Sequence, residues 1–215
     1  MGAAVRTHVL VMAKAPVPGR VKTRLCPPCS PEHAAAIAEA ALADTLDAVR
    51  ACGADRRIVA LDGAAGTWLP TGFEVIPQRG RGLSERLANA WEDAAGPGIQ
   101  IGMDTPQVRP ADLDHLLGLV RPGQTVLGRA LDGGWWVIGL DGVDPHAVFD
   151  GVPMSTAMTG YRQNLRLRAL GLAVRRAPGK RDIDTVADLD AVCADAPWLR
   201  TAQVWESLRV SSQVA

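Results

Sequence analysis

Residues 8–53 read HVLVMAKAPVPGRVKTRLCPPCSPEHAAAIAEAALADTLDAVRACG, and a strand, a loop and a helix can be read off them in turn. His8 to Ala13 is a short apolar run of the length expected for a buried strand. Ser30-Pro31-Glu32 then supplies an N-cap, a proline in the first helical position and an acid in the first turn. Ile37, Ala41, Thr45 and Val49 recur every four residues until Gly53, which predicts one long amphipathic helix with an apolar stripe.

The same alternation continues to the end of the chain. Strands are predicted at Ile58–Leu61, Phe73–Ile76, Ile99–Met103, Thr125–Leu127, Trp135–Leu140 and Leu172–Ala177. Between them fall a helix marked by Leu83, Leu87 and Trp91, one over Pro110–Val120, and one capped by Ser155 or Thr156 that runs to Leu170. Thr185 and Asp188 form a capping box for a helix ending near Ala194. An amphipathic helix at 197–210 closes the chain (Trp198, Ala202, Trp205, Leu208), free to cover the sheet or to pair with a second subunit in a homo-oligomer. Strands alternating with helices predict an α/β fold, a three-layer α/β/α sandwich around a mostly parallel central sheet, with residues 1–215 forming one domain.

Composition narrows the function. Of 215 residues, 47% are hydrophobic and 21% charged, which supports a packed core and excludes disorder throughout. Lysine plus arginine and aspartate plus glutamate both number 23, so there is no basic surplus for a nucleic-acid partner. No apolar run reaches the roughly 18–20 residues needed to span a bilayer. The opening MGAAVRTHVLVMA runs into Lys14 without a cleavage site and reads as a first strand rather than a leader, which implies a cytoplasmic protein. Cys26, Cys29, Cys52 and Cys193 are too scattered for a disulfide framework, and Cys26-Pro-Pro-Cys29 lacks the second pair that a structural zinc would need.

In open α/β sheets ligands bind at the carboxyl ends of the strands, and three polar segments are predicted there. The first, Lys14 to Leu25, carries Lys14, Arg20, Lys22 and Arg24 and no acid, on a loop stiffened by Pro16 and Pro18 and opened by Gly19. Cations on such a loop suit a polyphosphate. It is neither a Walker loop nor a Rossmann fingerprint, because Gly19 stands alone. The second, Gly102-Met-Asp104-Thr-Pro106, projects a carboxylate where Mg²⁺ could be held, although Asp104 could equally serve as a turn former. The third contains Asp182 and Asp184, two apart and so on one face if extended. Asp132-Gly133-Gly134 reads equally as a hairpin turn or as a substrate contact. The Trp135-Trp136 pair reads as core or as pocket lining. His8, His33, His115 and His146 lie outside the three segments, so no Ser-His-Asp or Cys-His arrangement is indicated.

Taken in order, AKAPVPGRVKTRL (13–25), GMDTP (102–106), LGRALDGGWWVIGL (127–140) and DIDTVADL (182–189) resemble the small glycosyltransferase-A-fold proteins known as glycosyltransferase-like or selenodomain-associated transferases. That family is similar to the 2-phospho-L-lactate guanylyltransferases. The resemblance covers residues 7–190 and implies a nucleotide-diphospho-sugar transferase fold. It implies nucleotide contacts from Ala13, Lys14, Ala15, Gly19, Arg20, Lys22 and Arg24, and from Gln78, Gly80, Gly82, Leu83 and Arg86. Asp104 and Asp184 would ligate Mg²⁺, or Mn²⁺ in its place, with Asp182 the less favoured second ligand. Asp132, Gly133 and Gly134 would face the acceptor, and Lys22, Arg20 and Asp104 would carry the catalysis. Two departures stand out: Gly102 occupies the first position of the Asp-x-Asp expected of metal-dependent glycosyltransferases, and prolines replace the usual glycines of the first loop.

These readings lead to an Mg²⁺-dependent nucleotidyltransferase that moves a nucleoside monophosphate, GTP being the favoured donor, to a small phosphorylated or phosphonate acceptor with loss of pyrophosphate. An ionised acceptor needs charge neutralisation and alignment rather than a general base. The alternatives are a glycosyltransferase using a nucleoside-diphosphate sugar and a non-catalytic nucleotide-binding protein.

Overall fold

The computed structural model describes residues 6–213; of the opening MGAAVRTHVLVMA, read as a first strand, residues 1–5 lie outside them. Strands β1 (His8–Lys14), β2 (Arg56–Asp62), β3 (Glu74–Pro77), β4 (Gly98–Gly102), β5 (Gln124–Ala130), β6 (Trp135–Leu140) and β7 (Ala173–Lys180) form one sheet. Its order is β3-β2-β1-β4-β6-β5-β7. β6 is antiparallel to both neighbours, β4 and β5, while the other pairings are parallel. The carboxyl ends of β1, β2, β4, β5 and β7 therefore share one edge with the amino end of β6, and this edge carries the site.

The central strand explains the layering. On β1, Val9, Val11 and Ala13 pack on one side of the sheet, whereas Leu10 and Met12 pack on the other, as the two-residue period of a strand requires. Helix α1 (Pro31–Ala51) and helix α3 (Pro110–Leu119) cover the first side. Helix α2 (Leu83–Ala94), a short α4 (Pro145–Phe149) and α5 (Thr159–Ala169) cover the second. Ser30 caps α1 by accepting a hydrogen bond from the His33 backbone N–H at 3.2 Å.

A third apolar cluster joins α1 to α6 (Val186–Asp195) and α7 (Arg200–Gln213). The tail helix thus lies on α1 and α6, not on the sheet. Asp44 of α1 fixes its start, accepting from the backbone N–H groups of Arg200 and Thr201 at 3.1 and 2.9 Å. The Thr185–Asp188 capping box opens α6 as expected.

Three expectations change. The helix predicted to be capped by Ser155 or Thr156 begins at Thr159 after Met158. Thr156 instead takes part in a tight turn in which its backbone N–H donates to Thr159 Oγ1 at 3.0 Å. Helix α4 escaped periodicity because five residues make barely one turn; Asp144 starts it by accepting from the His146 N–H at 2.9 Å. β7 runs three residues past its predicted end and includes Pro178, which an edge strand tolerates because a missing N–H costs nothing on the open side. No helix among the described residues is long and apolar enough to cross a membrane.

Candidate functional site

Two adjoining hollows open at the carboxyl edge. The larger, about 380 Å³, lies over the ends of β1, β4 and β6 and is lined by Ala13, Lys14, Gln78, Leu83, Arg86, Asp104, Asp132, Gly134 and Asp182, among others. The smaller, about 240 Å³, is lined by Lys14, Arg20, Val21, Lys22, Thr23, Arg24, Met103, Asp104 and Asp184. Lys14, Met103 and Asp104 belong to both.

The smaller hollow is built by the loop after β1. Pro16 and Pro18 hold it open, Gly19 turns it at φ 73°, and a single turn of 3₁₀ helix at Thr23–Leu25 buries Leu25 beneath it. Lys22 precedes that turn in the left-handed region, φ 48°, a conformation that costs a side-chain-bearing residue roughly 1 kcal/mol or more. The turn drives its side chain inward to 7% exposure. There Lys22 Nζ stands 2.6 Å from Asp104 Oδ1 and 3.9 Å from Asp184 Oδ1, and it donates to the Ile183 carbonyl. Arg24 pairs with the other oxygen of Asp184 at 3.0 Å but is 71% exposed, so solvent discounts that bond. Arg20 is exposed at the rim.

Asp104 follows β4 after one intervening residue, Met103, and its carbonyl accepts from the Ile183 N–H at 2.9 Å. Ile183 is fully buried in the cluster under α6, so it anchors the 182–184 segment against the end of β4. Its two neighbours separate: Asp182 lines the larger hollow and Asp184 the smaller. This segment has left β7 and is irregular. Burial pushes the Asp182 carboxyl up to about 7, and the nearby charges of Asp104 and Asp132 add to this. Thr105 Oγ1, donating to Asp182 Oδ1 at 3.2 Å, works the other way.

On the far wall Asp62, at the end of β2, takes Arg86 at 3.1 Å and Lys14 at 3.8 Å. Gln78 straps β1 to β2, donating to the carbonyls of Ala13 and Ala60, each at 2.9 Å. Leu83 opens α2 at the rim. The Asp132 turn closes the other end. Gly133 is held by a hydrogen bond from the Gly160 N–H to its carbonyl at 2.8 Å, and a Cβ there would meet the Ala157 carbonyl at 2.1 Å.

Of the expected residues, then, Ala15, Gly19, Gly80, Gly82 and Gly133 line neither hollow. Ala15 is buried against Gly63, Gly82 is the N-cap of α2, and Gly80 packs on Glu85 and Asn89. They shape the backbone that carries the others. Reading the sequence missed Asp62, Gln100, Thr105 and the Ser155–Thr159 turn. Asp62 had a signal, an acid ending a strand. Gln100 had a weaker one, an amide inside an apolar run; it is 1% exposed, and its Oε1 meets no hydrogen-bond partner at the floor of the larger hollow. Trp135 and Trp136 both line that hollow, Trp136 while buried and donating to the Pro178 carbonyl.

Among the described residues no three His, Cys, Asp or Glu side chains are gathered to hold a metal unaided. A magnesium or manganese ion asks less of a protein: one or two carboxylates, with phosphate and water supplying the remaining oxygens. Asp104 and Asp184, sharing a cation between them, and Asp182, an acid beside Asp104, fit that requirement.

The mostly parallel sheet, with acids and a cationic loop gathered at its carboxyl edge, has the glycosyltransferase-A-like fold of the solved structures it resembles. The chain is a member of the bacterial family described as "Uncharacterized protein conserved in bacteria (DUF2064)", whose family model matches residues 36–156. It is 31% identical over 200 residues to a phosphoenolpyruvate guanylyltransferase of Streptosporangium roseum, covering 87% of this chain and 86% of the relative. Among solved structures it resembles a candidate nucleotide-diphospho-sugar transferase from Desulfovibrio desulfuricans, with TM-score 0.82, 23% identity and 96% of each chain covered. It also resembles a Mycobacterium tuberculosis protein crystallised with manganese, with TM-score 0.55, 22% identity, and 88% and 98% covered. The chain thus belongs with that guanylyltransferase relative in a nucleotide-dependent transferase family and shares its fold with the solved transferase structures.

Proposed function

We propose that the protein transfers a nucleoside monophosphate from an NTP, GTP by preference, to an oxygen of a small phosphorylated or phosphonate acid. The observation that carries this reading is the junction at Asp104, where a hollow bordered by Lys14, Arg20, Lys22 and Arg24 meets one bordered by Asp104, Asp132 and Asp182. A triphosphate suits the first. The second, whose cations Lys14 and Arg86 are paired with Asp62, offers an acceptor anion little attraction unless a divalent ion offsets its other acids. The named activity of the Streptosporangium relative supports GTP and a phosphorylated three-carbon acid as the first substrates to try.

In this reading an acceptor phosphate oxygen forms a bond to the α-phosphorus, the α–β bridging bond breaks, and pyrophosphate leaves. Asp104, with Asp184 or Asp182, would hold Mg²⁺ or Mn²⁺, which when bound supplies charge neutralisation at the phosphates. Arg20, Lys22 and Arg24 would take the charge that accumulates on the leaving pyrophosphate. Ala13, Lys14, Gln78, Leu83 and Arg86 would seat the nucleoside end. Asp132, held by its glycine turn, would face the acceptor. No general base is required, because the attacking oxygen is already ionised.

The test is to incubate the protein with each NTP, Mg²⁺ and a panel of small phosphorylated acids including phosphoenolpyruvate, and to measure pyrophosphate. Acceptor-dependent release supports the reading. Free nucleoside diphosphate from a nucleoside-diphosphate sugar would point to glycosyl transfer instead, and thermal stabilisation by nucleotide without turnover would point to a binding protein.

A further inference from the structure

The ammonium group of Lys22 lies where a divalent ion shared by Asp104 and Asp184 would be expected to lie. It contacts one oxygen of Asp104 at 2.6 Å, approaches Asp184 Oδ1 to 3.9 Å, and donates to the carbonyl of the residue between the two acids of the 182–184 segment. The arrangement is held from both ends. Left-handed backbone at Lys22 aims the side chain inward, and the Ile183 N–H bond to the Asp104 carbonyl brings the two acid-bearing segments together. At 7% exposure the ammonium has exchanged water for these oxygens, so removing it without a replacement would leave Asp104 without this contact and Asp184 with only the exposed Arg24 beside it.

We infer that Lys22 is the resident counter-ion of the metal site, and that nucleotide and metal are coupled through its displacement. The inference rests on the metal reading given above. In the nucleotide-free protein Lys22 competes with a divalent ion for the same carboxylate oxygens. A triphosphate in the smaller hollow offers the ammonium a richer set of anionic oxygens a short side-chain rotation away, which frees the carboxylates for the ion. The ion is then taken up chiefly when there is a phosphate for it to neutralise. A lysine serves this purpose because it is a compact point charge on a flexible stem, whereas a planar guanidinium would be fixed by its fork geometry.

The test is Mn²⁺ binding to the nucleotide-free protein, followed by the electron paramagnetic resonance signal of the free ion. Phosphate itself ligates manganese, so the nucleotide-free comparison is the diagnostic one. Lys22→Met keeps the aliphatic stem and removes the charge, and Lys22→Gln is the second variant should the first fold poorly. Both should bind Mn²⁺ more tightly than the wild type, by at least about fivefold, the lower end of ordinary site-to-site coupling. Both should also be stabilised by Mn²⁺ against thermal unfolding more than the wild type is. Equal or weaker Mn²⁺ binding by the variants, abolished by adding Asp104→Asn, would overturn the coupling while leaving the metal site intact. No stoichiometric Mn²⁺ binding by any form, with or without a non-hydrolysable GTP analogue, would overturn both.

Discussion

The two hollows at the sheet edge share three residues yet solve opposite electrostatic problems. The smaller has more cations than acids and relieves the excess by exposing Arg20 and Arg24 to water while sending Lys22 inward to Asp104 and Asp184. The larger has its acids, Asp104, Asp132 and Asp182, crowded enough that burial and mutual repulsion lift Asp182 to about 7. Each is a poor final state alone. In the proposed reading one takes an anion and the other a cation, and a metal-bound triphosphate acting on an anionic acceptor would supply both.

The largest effect should come from Asp104, one of the three residues common to both. Asp104→Asn is expected to lower turnover by about 10²-fold or more, the scale of losing a principal electrostatic contact. Its circular dichroism and cooperative unfolding should stay close to wild type, because the side chain is 39% exposed. Asp182→Asn comes next and separates stability from activity. Removing one of three mutually repelling acids should raise the melting temperature in the presence of chelator by a few degrees, on the order of 1 kcal/mol. The same change should reduce metal-dependent turnover by about tenfold or more.

A paired measurement then splits the hollows. Arg20→Ala should raise KM for the NTP by about tenfold, the cost of one charge-assisted phosphate contact, with KM for the acceptor little changed. Asp132→Asn should move the acceptor KM and spare that of the NTP. If both variants shift both constants equally, the division of labour between the hollows is wrong.

The smallest effect on either hollow should come from His8, buried edge-on against Trp91 with ring centroids 5.0 Å apart. Burial, followed by the charge of Arg56, lowers His8 from 6.5 to about 4. Between those values the unfolded chain takes up a proton that the folded chain refuses. The contribution of His8 is therefore complete above pH 6.5 and is lost as pH falls toward 4, by about 3 kcal/mol in all. The denaturant midpoint should fall as pH is lowered across that window in the wild type and fall less in His8→Phe, with turnover at neutral pH unchanged.

How much could be read in advance follows from how local each signal is. The loop from Lys14 to Leu25 announced itself by charge, prolines and position, and Asp104 by following a buried strand. The separation of Asp182 from Asp184 was hidden, because it depends on Ile183 docking under α6 and bonding to Asp104, contacts that span nearly eighty residues. Lys22 was legible as a cation, while its ion pair with acids 82 and 162 residues away was not. Gln100 looked like one polar residue in a strand until neighbouring strands closed a hollow over it. Ser155 and Thr156 have the composition of a helix cap, but the packing of Gly133 and Gly134 against Ala157 and Gly160 sets where the helix begins.

The most direct measurement follows label from GTP carrying a marked α-phosphate, incubated with phosphoenolpyruvate and Mg²⁺. Label should pass to the acceptor with one pyrophosphate released per transfer, should stop on chelation, and should be nearly absent in Asp104→Asn. Label that never leaves GTP or GDP across the acceptor panel, or full transfer by Asp104→Asn, would contradict the joining of nucleotide and metal at that aspartate.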